Sequence, residues 1–249
     1  MLLTDRKVLV VGGSRGIGRA ICIKFAQAGA DIALIYRSRE AEAQDVCQEI
    51  SSLGRKAVAL RADMSNFQEN IEAVRAAAEE LGGLDVLVNS VGIFPKQSII
   101  EIQPQAWTKL INTNLSSYFF SIQAALPYLR NSATGGKVIN LSSQAAMTGS
   151  VNGSHYCAAK AGVLGLTYAL AKELGPTGIT VNALVPGRIN TEMIGYADEK
   201  RREEWLAETP LGRFGEAMDV ASAALFLASD GGNYITGAKI NICGGILMG

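Results

Sequence analysis

Short apolar runs of strand-forming residues alternate with longer segments of helical period along the whole chain. The runs are Lys7–Val11, Asp31–Tyr36, Lys56–Arg61, Asp85–Asn89, Lys137–Leu141, Thr180–Val185 and Lys239–Ile242. A strand that is apolar at nearly every position is buried on both faces, which is the condition of a parallel sheet covered by helices. The intervening segments include Gly16–Ala28, Glu40–Leu53, Phe67–Leu81 and Tyr156–Leu174. Such alternation over 249 residues, with no linker or low-complexity tract, predicts one α/β domain spanning residues 1–249. Its parallel sheet is doubly wound, with right-handed crossovers and helices on both faces. Four of the helical segments run into Gly29, Gly54, Gly82 and Gly175, which read as their C-terminal caps.

In sheets of this kind ligands bind beyond the carboxyl ends of the strands. The first strand runs into Gly12-Gly13-Ser14-Arg15-Gly16-Ile17-Gly18. Gly12 permits the sharp turn, Gly16 lets a phosphate approach the backbone, and Gly18 lets the helix pack closely. The free N–H groups and dipole of that helix start favour a pyrophosphate. No Gly-Lys-Ser/Thr follows, so the loop is not that of a nucleotide hydrolase. The second strand ends at Tyr36-Arg37-Ser38, without the acid that would take a ribose 2′-hydroxyl. Arg15 and Arg37 bring two cations there instead, suited to a 2′-phosphate and hence to NADP(H). The third strand leads to Asp63-Met64, where Asp63 either bonds an adenine amino group or caps the next helix. The fourth leads to Asn89-Ser90-Val91-Gly92 and the sixth to Pro186-Gly187-Arg188-Ile189-Asn190-Thr191, where backbone and Thr191 can hold a carboxamide.

Tyr156 and Lys160 stand four apart near the start of a long helix, on one face. Ser143 lies just past the fifth strand, and Asn114 sits inside the helix before it, where an amide has poor propensity. Reducing a carbonyl needs a hydride on carbon and a proton on oxygen. Bringing a phenol from its ordinary value near 10 to about 7 takes roughly 4 kcal/mol. An ammonium about 4 Å away supplies about that much at an effective dielectric near 20. Tyr156 is thus the proton donor, Lys160 its cation, Ser143 the group that holds the substrate oxygen, and Asn114 a site to order a water touching Lys160.

Together these residues resemble the short-chain dehydrogenase/reductases, from Val10 to Gly245. The resemblance rests on the glycine loop, Asn89–Gly92, Asn114, Ser143, Tyr156, Lys160, Pro186-Gly187, Ile235-Thr236-Gly237 and Gly244-Gly245. It implies a seven-stranded Rossmann fold, an Asn–Ser–Tyr–Lys tetrad, hydride transfer with a nicotinamide cofactor, and a homotetramer. The layout is most similar to 3-oxoacyl-[acyl-carrier-protein] reductases. Thr134 and Thr177 stand where those enzymes carry arginines that grip the acidic carrier, which leaves only Arg130, Lys137 and Lys172 nearby for such a partner. Val11, Ser90, Val91 and Cys243 also depart from the usual residues, and none of them removes a catalytic group.

Composition excludes other classes. The 23 basic and 23 acidic side chains leave no net charge for a nucleic-acid partner. The four cysteines lack metal-ligand spacing, and the one histidine, His155, completes no zinc site, so no metal is expected. A serine hydrolase would need a base for Ser143 and a G-x-S-x-G turn, and has neither. Met1–Lys7 carries no leader pattern and no run is long enough to span a bilayer, which points to a cytoplasmic protein with no membrane partner. The expected partners are a small carbonyl or alcohol substrate and further copies of the chain, through Leu115–Leu129 and Val163–Leu174. A charged lid is expected over about residues 190–213. Phe94, Met147, Met193, Ile194 and Trp205 either wall the pocket or pack beneath that lid. A non-catalytic NADP sensor is the alternative; the intact Tyr–Lys pair argues against it.

Overall fold

Seven strands lie side by side, all parallel, in the order β3-β2-β1-β4-β5-β6-β7. They are β1 (Lys7–Val11), β2 (Asp31–Tyr36), β3 (Ala57–Arg61), β4 (Val86–Asn89), β5 (Lys137–Leu141), β6 (Thr180–Pro186) and β7 (Lys239–Ile242). The computed structural model describes residues 2–195 and 197–248. Met1, Gly249 and Tyr196, the last within the expected lid, lie outside the described residues.

Alternate residues of each strand go to opposite faces, as the pleat requires. Val8, Val10, Ile32, Leu34, Val86 and Val88 join one core cluster. That cluster is covered by α1 (Gly16–Gln27), α2 (Glu40–Ser52) and α9 (Ala217–Ala228). Leu9, Val11, Ala33, Ile35 and Leu87 join the other, under α3 (Phe67–Leu81), α5 (Ser117–Arg130) and α7 (Ser154–Leu174). Both faces of the sheet are therefore dry, which is why its strands read as continuous apolar runs. β1 pairs with β2 on one side and β4 on the other, with Val10 opposite both Leu34 and Val88. The chain reverses its direction of travel there, and a crevice opens at the carboxyl ends.

Three of the four expected glycine caps have left-handed backbone: Gly29, Gly54 and Gly82, at φ 101°, 74° and 70°. Gly175 does not; it is right-handed at φ −51° and opens a short 3₁₀ turn, Gly175–Thr177. A left-handed cap at Gly175 would want a donor N–H on the next residue, and Pro176 has none. Gly175 still ends α7, and the left-handed residue comes after the 3₁₀ turn, at Gly178 with φ 79°. The helix before β5 is also interrupted. After α4 (Pro104–Ile111) it widens into a π turn, Asn112–Ser116, and resumes as α5. Single π turns often mark functional sites.

Gly18 and Gly165 are both helical glycines with opposite surroundings. A Cβ on Gly18 would stand 2.0 Å from the Gly12 carbonyl oxygen, whereas one on Gly165 would meet nothing within 4 Å. Gly18→Ala is expected to lower stability by about 3 kcal/mol. Gly165→Ala is expected to raise it by about 0.5–1 kcal/mol. Thermal denaturation of the two variants checks both signs.

Candidate active site

Gly12, at φ 85°, lies against the β4 turn: a Cβ there would be 3.0 Å from the Val91 nitrogen. The turn that follows delivers α1 with Ser14, Arg15, Gly16, Ile17 and Gly18 along the floor of a cleft of about 820 Å³. The same cleft is lined by Arg37 and Ser38 after β2, Asp63 and Met64 after β3, and Ser90, Val91 and Gly92 after β4. Ser143 after β5, Tyr156 and Lys160 on α7, and Pro186, Gly187, Ile189 and Thr191 after β6 complete it. Thr191 sits across from Gly16, where a Cβ would be 3.6 Å from its methyl.

Lys160 is buried, and its Nζ donates to the Leu141 carbonyl at 2.8 Å and to the Tyr118 hydroxyl at 3.2 Å. Burial pushes its pKa down from 10.5 to about 7. Tyr156 lies one helical turn away, its ring 4.2 Å from that of Phe94. Ser143 Oγ accepts from the Ala145 N–H at 3.2 Å, while the neighbouring Ser142 points inward and donates to the Lys160 carbonyl at 2.8 Å. His155 is fully buried, with neither ring nitrogen hydrogen-bonded, and burial holds its pKa below the ordinary value. It does not line the cleft that holds Ser143.

Two expected site residues stand behind the cleft wall. Asn114 does not line it: its Oδ1 accepts from the Ile93 N–H at 2.9 Å and its Nδ2 donates to the Ile93 carbonyl at 2.8 Å. The amide thereby clamps the chain just past β4. Asn89 is fully buried, still paired within the sheet. Its Nδ2 donates to Asn140 at 3.0 Å and its Oδ1 accepts from Ser121 at 2.8 Å. Asp63 does not cap α3; Asn66 does, accepting from the Gln68 and Glu69 N–H groups. The Asp63 carboxylate instead accepts from the Ser65 N–H and hydroxyl. Partial burial works to raise its pKa, but those bonds, with Arg37 and Lys109, hold it below the ordinary value. Of the expected pocket wall, Phe94, Met193 and Ile194 line the cleft, whereas Met147 does not. Trp205 packs beneath, its ring edge-on to Phe214.

The sequence reading missed three groups. Arg39 lines the cleft two residues past Arg37, and spacing alone could have found it. Glu192 pairs with both Arg15 and Arg39, joining the segment after β6 to the arginine cluster. Tyr118 follows Asn114 by four residues with part of the π turn between them, so spacing alone does not mark its side of the helix.

Residues 11–247 match the protein family described as Enoyl-(Acyl carrier protein) reductase, whose members include these short-chain enzymes. The chain belongs to the short-chain dehydrogenase/reductase family. Among similar proteins, 3-oxoacyl-[acyl-carrier-protein] reductase FabG of Staphylococcus aureus is 38% identical over 243 residues, 98% of each chain. L-Rhamnose 1-dehydrogenase (NAD(P)(+)) of Azotobacter vinelandii is also 38% identical, covering 100% of this chain and 99% of that one. A Burkholderia cenocepacia short-chain dehydrogenase solved with NADP superimposes with a TM-score of 0.94, at 36% identity and 99% coverage of each chain. A blue fluorescent protein from a metagenomic library, solved with NADPH, gives 0.94 at 38% identity and full coverage of both chains. Among the described residues of this short-chain dehydrogenase/reductase no group of three metal-ligating side chains occurs, and no helix is long and apolar enough to cross a membrane.

The buried lysine sets a pH-dependent penalty on folding. Below about pH 7 it is protonated both folded and unfolded, and the full penalty of burying the charge applies. Between that value and 10.5 the unfolded chain binds more protons than the folded one, so stability from this group rises with pH. Lys160→Met is therefore expected to raise Tm by several degrees at acid pH and by less at alkaline pH. Scans at both pH values check the sign.

Proposed function

We propose that this chain is an NADP(H)-dependent oxidoreductase that interconverts a ketone and a secondary alcohol, with Tyr156 as proton donor and acceptor. The observation that carries the reading is that Tyr156, Lys160 and Ser143 share one cleft with the glycine turn and the arginines after β2. The residues present fit a dinucleotide: the tight approach of Gly12 and Gly18 leaves no room for side chains in the turn. Gly12 to Gly18 would hold the pyrophosphate, Asp63 and Met64 the adenine, and Gly92, Pro186, Gly187, Ile189 and Thr191 the nicotinamide end. When bound, the cofactor supplies or takes the hydride at the carbonyl carbon.

The remaining work belongs to the chain. Ser143 donates to the substrate oxygen and holds it toward the phenol. Tyr156 then gives its proton to that oxygen in reduction and takes it back in oxidation, and the Lys160 cation favours the phenolate. Tyr156→Phe removes the proton and keeps the ring, so kcat is expected to fall by about 10³ or more while cofactor affinity holds. NADPH oxidation with a panel of ketones and acetoacetyl thioesters, beside fluorescence titration of NADPH, measures both. Turnover that survives the substitution would assign the proton to another group.

Preference for NADP(H) rests on Arg15, Arg37 and Arg39, gathered in the cleft where β2 runs into Arg37-Ser38 without an acid at the strand end. Wild type is expected to favour NADPH over NADH in kcat/KM, and Arg37→Ala to shrink that ratio roughly tenfold. Glu192→Gln frees Arg15 from its carboxylate, leaves Arg39 paired with Glu42, and is expected to enlarge the ratio. Better use of NADH by the wild type would overturn the cofactor choice.

Phe94 meets the Tyr156 ring, and Ile93, Pro95, Met193 and Ile194 add an apolar wall to the same cleft, which also carries Gln97, Lys109 and Thr113. Such a wall suits a ketone with an apolar arm, a 3-oxoacyl thioester among them, better than a polyol. A carrier-protein partner has less support, because Thr134 and Thr177 stand exposed and uncharged where its arginines would be. The segment about residues 190–213 acts in this reading as the lid. Assembly into a homotetramer, in the cytoplasm, completes it; exposed Phe67, Trp107 and Phe119 give α3, α4 and α5 apolar surface to cover.

A further inference from the structure

We propose that Tyr118 is a positioning residue for this reaction: its buried phenol oxygen accepts a hydrogen bond from the Lys160 ammonium, fixes it beside the cleft and helps it keep its proton. Tyr118 opens the first turn of α5 and is fully buried. Its hydroxyl donates to the Val91 carbonyl at 2.9 Å, with the Leu141 carbonyl also in range at 3.2 Å. Lys160 Nζ approaches the same oxygen at 3.2 Å and donates to Leu141 at 2.8 Å. One phenol thus ties the ends of β4 and β5 to the ammonium on α7. Two of the three ammonium protons are held by Leu141 and Tyr118, which leaves the third for the cleft.

The chemistry of the pair suits positioning and not proton transfer by Tyr118 itself. Burial, and then the nearby Tyr156, push the Tyr118 phenol well above its ordinary value, so it stays neutral and offers Lys160 an acceptor. Lys160 needs that acceptor, because burial alone drives its pKa down. The titratable groups on the elements around it are two phenols, Tyr118 from α5 and Tyr156 from its own helix. Asn114 and Gly92 bring an uncharged amide and bare backbone, Gly92 close enough that a Cβ would lie 3.6 Å from Nζ. The charges of the cleft, Arg15, Arg37, Arg39, Asp63, Lys109 and Glu192, lie around the ends of β2 and β3 and on the lid and α4. A purely structural phenol would need only the Val91 carbonyl. The bond from Lys160 is a second engagement, and it falls on the one cation whose charge the Tyr156 proton transfer requires.

The inference rests on the proposed reaction only for its kinetic arm. Tyr118→Phe keeps the ring and removes the acceptor. In the cofactor-free protein, NMR titration of labelled lysine is expected to find the Lys160 midpoint lowered by about one pH unit, a tenfold loss of proton affinity. In the wild type, the Tyr118 Cζ resonance is expected to move with the Lys160 titration, a readout that needs no variant. In turnover, a Lys160 that loses its proton earlier raises the Tyr156 pKa, so the rising limb of the pH profile for alcohol oxidation moves up while cofactor affinity holds. A folded Tyr118→Phe with an unchanged Lys160 midpoint and an unchanged profile would overturn the proposal. So would a wild-type Tyr118 resonance blind to Lys160. If neither protein turns over any substrate, the proposed reaction fails, and the two NMR readouts still decide the role of Tyr118.

Discussion

A sheet whose strands all run the same way brings every carboxyl end to one edge, and in this chain that edge is where function collects. The constraint comes from burial. With both faces covered, the strand interiors hold mostly apolar side chains and a few hydrogen-bonded amides, so polar groups open to the cleft gather where strands end. β1 lies at the reversal of strand order, and its exit must pass between the turns after β2 and β4. Gly12 resolves the crowding by letting the backbone come within contact of Val91, and Gly18 does the same for the Gly12 carbonyl. The cleft is therefore a by-product of backbone packing before any side chain lines it.

Into that edge the fold sets a buried lysine, a group that destabilises it. A lone ammonium in apolar surroundings costs several kcal/mol unless hydrogen-bonded. Here the Leu141 carbonyl, at the end of a buried strand, and the Tyr118 oxygen reduce that penalty without removing it. Asn114 contributes at one remove, closing two bonds on Ile93 and so holding the β4 turn over Lys160. Behind these, Asn89, Asn140, Ser121 and Thr167 form a chain of satisfied buried polar groups that stiffens the same strand ends. A satisfied polar network in a low dielectric is rigid because every alternative arrangement strands a donor or acceptor.

The parts of this design that depend on local sequence were readable from it. Strand positions followed from continuous apolar runs, and the glycine turn from its place between a strand and a helix. Gly175 ends its helix as the sequence implies, but Pro176 beside it has no N–H to give, and the left-handed residue falls at Gly178. Asn89 was placed on the cleft because it closes the motif after β4. The strand in fact still pairs there, Asn89 opposite Asn140, and the pleat turns its amide inward. Tyr118 was invisible for a different reason. Its meaning depends on Lys160 forty-two residues away on another helix, and on a π turn that resets the phase between Asn114 and α5. Periodicity assumes a regular helix and cannot predict a phase shift within it.

The cleft divides chemically along its length. Toward β2 and β3 it carries Arg15, Arg37, Arg39 and Asp63, on elements locked into the sheet edge. Toward the segments after β4 and β6 it carries Phe94, Pro95, Met193 and Ile194. Ser143, Tyr156 and Lys160, the groups of the proposed reaction, are carried by the end of β5 and by α7. A change at Gly12, Asn114 or Leu141 would disturb the strand ends and the Lys160 site, whereas the loop side chains bear on neither. Glu192 links the halves, pairing from the segment after β6 with both Arg15 and Arg39.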